Sequence, residues 1–463
     1  MNIIKEKAFY KNVLAIVIPI AMQNFISVAL SMMDTIMLGR ADDVGILLSA
    51  SSLANQPFFL LNVITFGIAG ASTVLLSQYW GKRDMASIRS VLSIIIKISF
   101  VFSLVAGLVV LIFPEWVLSL YSNNEQIIES GVKYLRIIGY AYFIYGVTNT
   151  VICAIRNVEI VKVSVVVNIS SFTINVFLNW VLIFGNLGAP RMGIEGAAIA
   201  TLTARNVEFC VICVYLFVVD KRIKFRFKNL FEFNKVLFKD LLKHGAPFAL
   251  VEVLWSFGIT VQNAVIGHID YCVGDPVAAN AIMGVVQQLS TIVMFGVANA
   301  AAVLVGKAIG ENDFDTAVLR ANTFKYLFVL MGILSCLVIL AVKDIAVEFY
   351  TVPLETKILA KQLMVVMAVQ SIFISISNGA LVGTLRGAGD TKFCLYSDMV
   401  TIWGFSVPVA FISAFWLKLP VPWVLFLMKS DEIIKTVLCW IRMGGRKWLN
   451  SVTRNFDENG EAF

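Results

Sequence analysis

Apolar stretches, broken by short polar turns, recur along the whole chain. Twelve can be counted, at about 12–38, 46–78, 88–113, 131–155, 160–184, 193–219, 240–268, 277–309, 320–342, 357–387, 393–416 and 420–441. Each is long enough to cross a hydrocarbon core as an α-helix, which takes about 20 residues. Several exceed that minimum, so tilts or kinks are expected. Lys429, Asp431, Glu432 and Lys435 interrupt the last stretch. Their spacing lets Asp431 meet Lys435 along one helix face, so the stretch is retained as a helix.

The pattern also repeats. Residues 66–84, FGIAGASTVLLSQYWGKRD, align without a gap on residues 295–313, FGVANAAAVLVGKAIGEND, with eight of nineteen positions identical at an offset of 229. Pro19 and Gly39 fall on Pro247 and Gly267, and Arg156 and Lys162 on Arg386 and Lys392. The expected fold is therefore an all-α integral membrane protein built as two pseudo-symmetric six-helix bundles, a 6+6 parallel repeat. The bundles are read as 1–219 (helices 1–6) and 241–463 (helices 7–12 and a cytoplasmic tail), with a basic cytoplasmic linker at 220–240. Two such bundles enclosing a midplane cleft are the architecture of a secondary transporter.

Composition agrees with the pattern. Hydrophobic residues make up 59% of the chain and charged residues 14%, against about 25% charged in soluble domains. Loops are short, which leaves no room for a catalytic domain outside the membrane. With both termini in the cytoplasm, most of the 37 lysines and arginines fall on cytoplasmic segments, as the positive-inside rule requires. The net charge of +7 is thus a topology signal, and nucleic acid is not an expected partner. Lys5, Lys7 and Lys11 precede the first helix as in a signal peptide, but that helix is too long for one and is read as retained. Cys210 and Cys213 form a lone CxxC inside a helix and are read as packing. His244 and His268, the only histidines, are too far apart for a metal site. No GxxxxGK[ST] loop, HExxH or Ser-His-Asp arrangement is present, so the chain reads as no enzyme and as driven by an ion gradient rather than by ATP.

A charge at the bilayer centre costs about 2.5–3.5 kcal/mol on insertion scales and needs a reason. Asp34, near the external end of a helix that Pro19 kinks, is either an ion-coupling carboxylate or an interfacial acid that reaches water. Its repeat partner is Gln262, so only one half carries the acid. Asn175 and Asn179, four apart, share a helix face and would hold an ion or glue helices together. Glu252 follows Pro247 by five residues, where a freed carbonyl loosens the helix. Arg205 and Glu208 are spaced to pair, and Lys97 and Arg136 either neutralise a neighbour or snorkel. Gln23, Tyr140, Trp255, Gln262 and Asn378 are candidate cavity-lining residues, with Tyr142, Tyr145 and Phe257 as further candidate aromatics. Aromatic faces near a carboxylate favour flat organic cations.

These residues carry a family resemblance. Pro19 with MMDTIMLG at 32–39, FGIAGASTVLLSQYWGKRD at 66–84, GIEGAAIAT at 193–201 and LRGAGDTK at 385–392 resemble the multidrug and toxic compound extrusion (MATE) transporters over essentially the full chain. The resemblance implies two lobes in a V. It implies export of bulky, often cationic compounds in exchange for H⁺ or Na⁺, with no other cofactor. It places Asp34 at the family's helix 1 carboxylate, Asn175 at the helix 5 asparagine and Thr201 at a helix 6 hydroxyl. Asn179 falls where some members carry a second acid. The ion-coupling set is then Asp34, Asn175, Asn179, Thr201 and Glu252, with Na⁺ as a possible occupant at Asp34, Asn175 and Asn179. The helix 7 glutamate of many members is replaced by Trp255, one turn from Glu252, and the helix 10 acid of some falls at Ser375. A monomer in the plasma membrane with a small organic substrate is expected. The alternative within the superfamily is a flippase for lipids or lipid-linked saccharides. A cavity map separates the two, because acidic and aromatic walls favour drugs and basic walls favour lipid phosphates.

Overall fold

The computed structural model describes residues 3–41, 46–121, 124–350 and 352–454. Among these, the side chains of residues 31, 32, 34–36, 39–41, 46 and 48 are not described. Among the described residues the chain is helical without strands. The long helices are α1 (Lys7–Ala41), α2 (Ile46–Lys82), α3 (Met85–Ile112), α4 (Glu125–Arg156), α5 (Lys162–Phe184) and α6 (Ile194–Val214). After the linker come α7 (Lys235–Gly267), α8 (Pro276–Gly310), α9 (Phe314–Glu348), α10 (Leu354–Asn378), α11 (Thr391–Trp416), α12 (Val421–Lys429) and α13 (Asp431–Gly444).

Among the described residues, eleven helices are long and apolar enough to cross a membrane. The twelfth apolar stretch, read as a single helix, is instead divided at Ser430 into α12 and α13. Its charges lie inside the protein. Asp431, Glu432 and Lys435 are buried in protein rather than facing lipid, and Asp431 does meet Lys435, at 3.3 Å.

Local sequence sets the helix ends. Asn124 caps α4 by accepting from the amides of Gln126 and Ile127. Asp275 caps α8 in the same way, with Pro276 at its first position, where a missing N–H is harmless. Gly185 ends α5 in a left-handed conformation at φ 77°, which a side chain would strain. Wider π turns occupy Gly379–Leu385 at the end of α10 and Met399–Ser406 within α11.

The chain packs as two compact units. One gathers Met22–Ser72 and Met85–Lys239; the other gathers Met1–Ala21, Thr73–Asp84 and Asp240–Phe463. Helix α1 passes from one to the other just after Pro19, where the ring removes a helical hydrogen bond. In the first unit, Leu61, Leu135, Ile138, Tyr142 and Ile183 form the core. The linker is held to α3 there, with Arg89 donating to the Ile223 carbonyl and Lys97 to that of Glu232.

In the second unit the two copies of the repeated segment touch. A Cβ on Gly81 would lie 2.1 Å from the Lys307 carbonyl oxygen, and one on Gly310 would lie 1.9 Å from that of Gln78. These contacts are reciprocal under the 229 offset, since 81 maps on 310 and 78 on 307. Small residues allow this approach of backbones. A C-terminal segment completes the unit. Trp448 is buried, Gln78 brackets Asn450 and Val452 with its amide, and Arg454 makes a two-pronged pair with Asp240 at 2.6 Å.

Candidate functional site

Each unit encloses a cavity. The one in the first unit measures about 320 Å³ and is walled by α1, α2, α4, α5 and α6. Phe58, Phe59, Tyr134 and Tyr145 supply aromatic faces, and Gln23, Asn55, Asn62, Asn149 and Asn168 supply amides. Arg205 donates to both Glu208 oxygens at 2.9 and 2.8 Å, so the expected pair forms. Its guanidinium also lies 4.9 Å from the Tyr145 ring and 5.6 Å from Phe58. These two aromatic faces therefore already hold a cation.

Behind this wall runs a polar relay. Thr201 lines the cavity, Asn175 donates to its hydroxyl at 3.1 Å, and Asn179 donates to Asn175 at 2.8 Å. Both asparagines are fully buried. Three of the five ion-coupling candidates thus form one hydrogen-bonded chain, as the four-residue spacing on α5 allows. Asp34 belongs to α1, and its side chain lies outside the described residues.

Gln23 lines the cavity and accepts from Arg156 at 3.4 Å. Tyr140 does not line it. The α4 residues that do are Tyr134, Ile138, Tyr145, Thr148, Asn149 and Ile152, one helical stripe, and Tyr140 lies off it with 57% of its surface exposed. Tyr142 is core, edge-on to Phe58 at 5.3 Å, and Phe257 is exposed. Arg136 is exposed, and Lys97 reaches the linker rather than a neighbour in the bundle.

The second cavity, about 460 Å³, lies between α7, α8, α10, α12 and α13. Trp255, Gln262 and Asn378 line it as anticipated, together with Asn280, Gln287, Gln288, Thr291, Lys429 and Glu432. Gln262 is fixed by two hydrogen bonds at 2.8 Å, donating to the Ser406 hydroxyl and accepting from Lys429. Glu252 is half-buried on α7 and does not line this cavity; Arg386 and Asp398 act on it electrostatically.

The two cavities are repeats of each other. Phe58, Phe59 and Asn62 line the first, and their counterparts at the 229 offset, Gln287, Gln288 and Thr291, line the second. Divergence exchanged aromatic rings for amides. Sequence reasoning missed the α2 and α8 walls, and it missed Asp398, Asp431, Glu432 and Lys435 as a group. The signal was present for the group, because Asp398 is the only acid in 393–416 and the other three interrupt 420–441.

Known proteins resemble this chain throughout. A model of the MatE family matches it twice, over residues 19–181 and 247–412, once in each half. YisQ of Bacillus subtilis, an uncharacterized transporter, is 28% identical over 92% of this chain and 93% of its own length. A probable multidrug resistance protein NorM of Thermotoga maritima is 24% identical over 95% of this chain and 93% of its own length. Among solved structures, a MATE protein in the bent conformation superposes with a TM-score of 0.81 at 18% identity, covering 95% of this chain and 96% of that one. The eukaryotic MATE transporter AtDTX14 gives 0.77 at 18% identity, covering 95% and 96%. The structural likeness supports the two-repeat helical fold.

Proposed function

The chain belongs to the MatE family, and from that premise we propose that it is a secondary active antiporter. In this reading it exports bulky, cationic organic compounds in exchange for H⁺ or Na⁺ by alternating access. It is a multi-pass membrane protein of a transporter family. We place it in the plasma membrane with both termini cytoplasmic, acting as a monomeric carrier without enzymatic chemistry.

The observation that carries this reading is the make-up of the cavity walls. Among the described residues, the first wall holds one cation and one carboxylate, Arg205 and Glu208, beside four aromatic residues. The second holds Lys429 and Glu432 among amides. Neither has the basic excess that a lipid pyrophosphate would need, so the flippase reading is not favoured. Both volumes fall in the range of about 300–1,000 Å³ usual for organic ligands. Relatives described as probable multidrug resistance proteins, NorM and YoeA, agree with this substrate class.

For coupling, Asp34 is the leading carboxylate. Loading it with a proton or Na⁺ removes or balances its charge. The ion biases the conformational equilibrium only by its difference in affinity for the two states. The test is efflux of a fluorescent cation from proteoliposomes under a pH or a Na⁺ gradient, in wild type and Asp34→Asn. Efflux that follows one gradient and disappears in the variant is the expected result. Efflux that persists in Asp34→Asn moves coupling to Glu252, and no efflux under either gradient overturns the drug-export reading.

A further inference from the structure

A groove of about 410 Å³ lies between α5 and α6 of the first unit, apart from both cavities. Val166, Val211, Val214 and Val219 line it, and Lys162 and Tyr215 give it polar groups. Val166, Val214 and Val219 each expose more than half of their surface, which on membrane-spanning helices faces lipid. Lys162 opens α5 and Tyr215 directly follows α6. Consecutive spanning helices run in opposite directions, so both polar residues sit at the same membrane surface. The basic linker starts there too, one residue after Val219.

The linker is held in one arrangement and turns its charge outward. Residues 220–228 carry five bases and one acid. That acid, Asp220, accepts from the amides of Arg222, Ile223 and Lys224 at 3.1, 3.0 and 2.8 Å, so its charge folds the segment. Ile223 and Phe225 are buried, whereas Arg222, Lys224 and Arg226 between and beside them are exposed, the alternation of an extended chain. Rings continue the apolar surface from α6. Phe217 lies 6.1 Å from Phe227, which lies 5.6 Å from Phe231. Phe227 and Phe231 are 64% and 77% exposed. Aromatic rings beside lysine and arginine are the composition of a surface that rests in lipid headgroups.

We propose that the α5–α6 groove and residues 221–228 form a binding site for one anionic phospholipid. An acyl chain fills the groove, and Lys162 with the exposed linker bases neutralises the headgroup. Charge and surface together select this occupant. A soluble anion would match the bases but leave the valines and the two phenylalanines uncovered. A zwitterionic lipid would fill the groove but leave the positive charge unbalanced. The site is preorganised, because Arg89 and Lys97 on α3 donate to the Ile223 and Glu232 carbonyls and fix the linker backbone at 3.1 and 2.7 Å. The leaflet is the cytoplasmic one in the orientation proposed above. Detergent micelles have no leaflets, so the test below stands apart from that orientation.

Native mass spectrometry of the full chain in detergent, titrated with phosphatidylglycerol or phosphatidylcholine, tests the site. Wild type should retain one phosphatidylglycerol in preference to phosphatidylcholine. Lys162→Gln should weaken phosphatidylglycerol binding about five-fold, the step for one base at a charged lipid surface. Arg222→Gln with Lys224→Gln and Arg226→Gln should abolish the preference. Val214→Trp, which fills the groove and leaves every charge in place, should weaken both lipids alike. All five substituted side chains are exposed, so folding should survive, as thermal melting would report. Equal affinity of wild type for the two lipids overturns the proposal, as does a preference that survives both the Lys162 and the triple variant. Displacement of phosphatidylglycerol by an equal concentration of glycerol 1-phosphate, or unchanged binding in Val214→Trp, overturns it as well, because the groove then holds no acyl chain.

Discussion

Arg205 shows how much of the site a single side chain holds. It neutralises Glu208 and covers two aromatic faces. Arg205→Ala would leave Glu208, which is buried, without its partner. Breaking one side of a buried pair costs about 3–5 kcal/mol, and removing both partners costs less. Denaturation in detergent should therefore rank Arg205→Ala below the double variant with Glu208→Ala. The pair and the Asn175–Asn179 contact were legible because both depend only on spacing along one helix. The position of Tyr140 was not, because a helix that is apolar all round does not reveal which stripe faces a cavity. Nor was the contact between Glu432 and Ser377, 55 residues apart.

At the scale of elements, close approach decides more than propensity. Gly310→Ala would drive a methyl group into the Gln78 carbonyl, and Gly81→Ala would meet that of Lys307. Both obstacles are backbone and cannot swing aside, so each change should destabilise the protein by about 1–3 kcal/mol, read as a lower thermal midpoint. The effects should be less than additive in the double variant, because both push apart the same two helices. At the start of α9, Asp313 accepts from Thr316, and these hydrogen bonds hold its carboxyl below the usual carboxylate range. A carboxyl depressed by folding stabilises the protein above its unfolded value and loses that contribution as pH falls through the folded one. Asp313→Ala should therefore cost about 1 kcal/mol at neutral pH and progressively less under acid, followed by melting across pH.

The whole molecule carries its ancestry in its contacts. Duplication was legible from one ungapped segment, and the two matches of the family model fall in the two halves. The reciprocal pairing of Gly81 with Lys307 and Gly310 with Gln78 could not be read from sequence, since identity between segments does not imply that they touch. The two cavities were likewise invisible, because their repeated positions carry rings in one half and amides in the other. Exchanging them is a test at this scale. Gln287→Phe with Gln288→Phe should make the second cavity more aromatic and raise its affinity for flat cations several-fold, at about 0.5–1 kcal/mol per cation–π contact, measured by fluorescence titration.

The division of the chain between its units also has a consequence for synthesis. Residues 22–72 and 85–239 can assemble while the rest is still being made, since domains generally fold in the order they emerge. The segments before and between them cannot, because their partners lie beyond residue 239. The opening half of α1 and the end of α2 therefore wait in the membrane with unmatched faces until the last helices arrive. A ribosome stalled after residue 300 should leave residues 7–21 open to cysteine labelling that the finished protein resists. That interval is when this chain is most exposed to the proteases that clear unfinished membrane proteins.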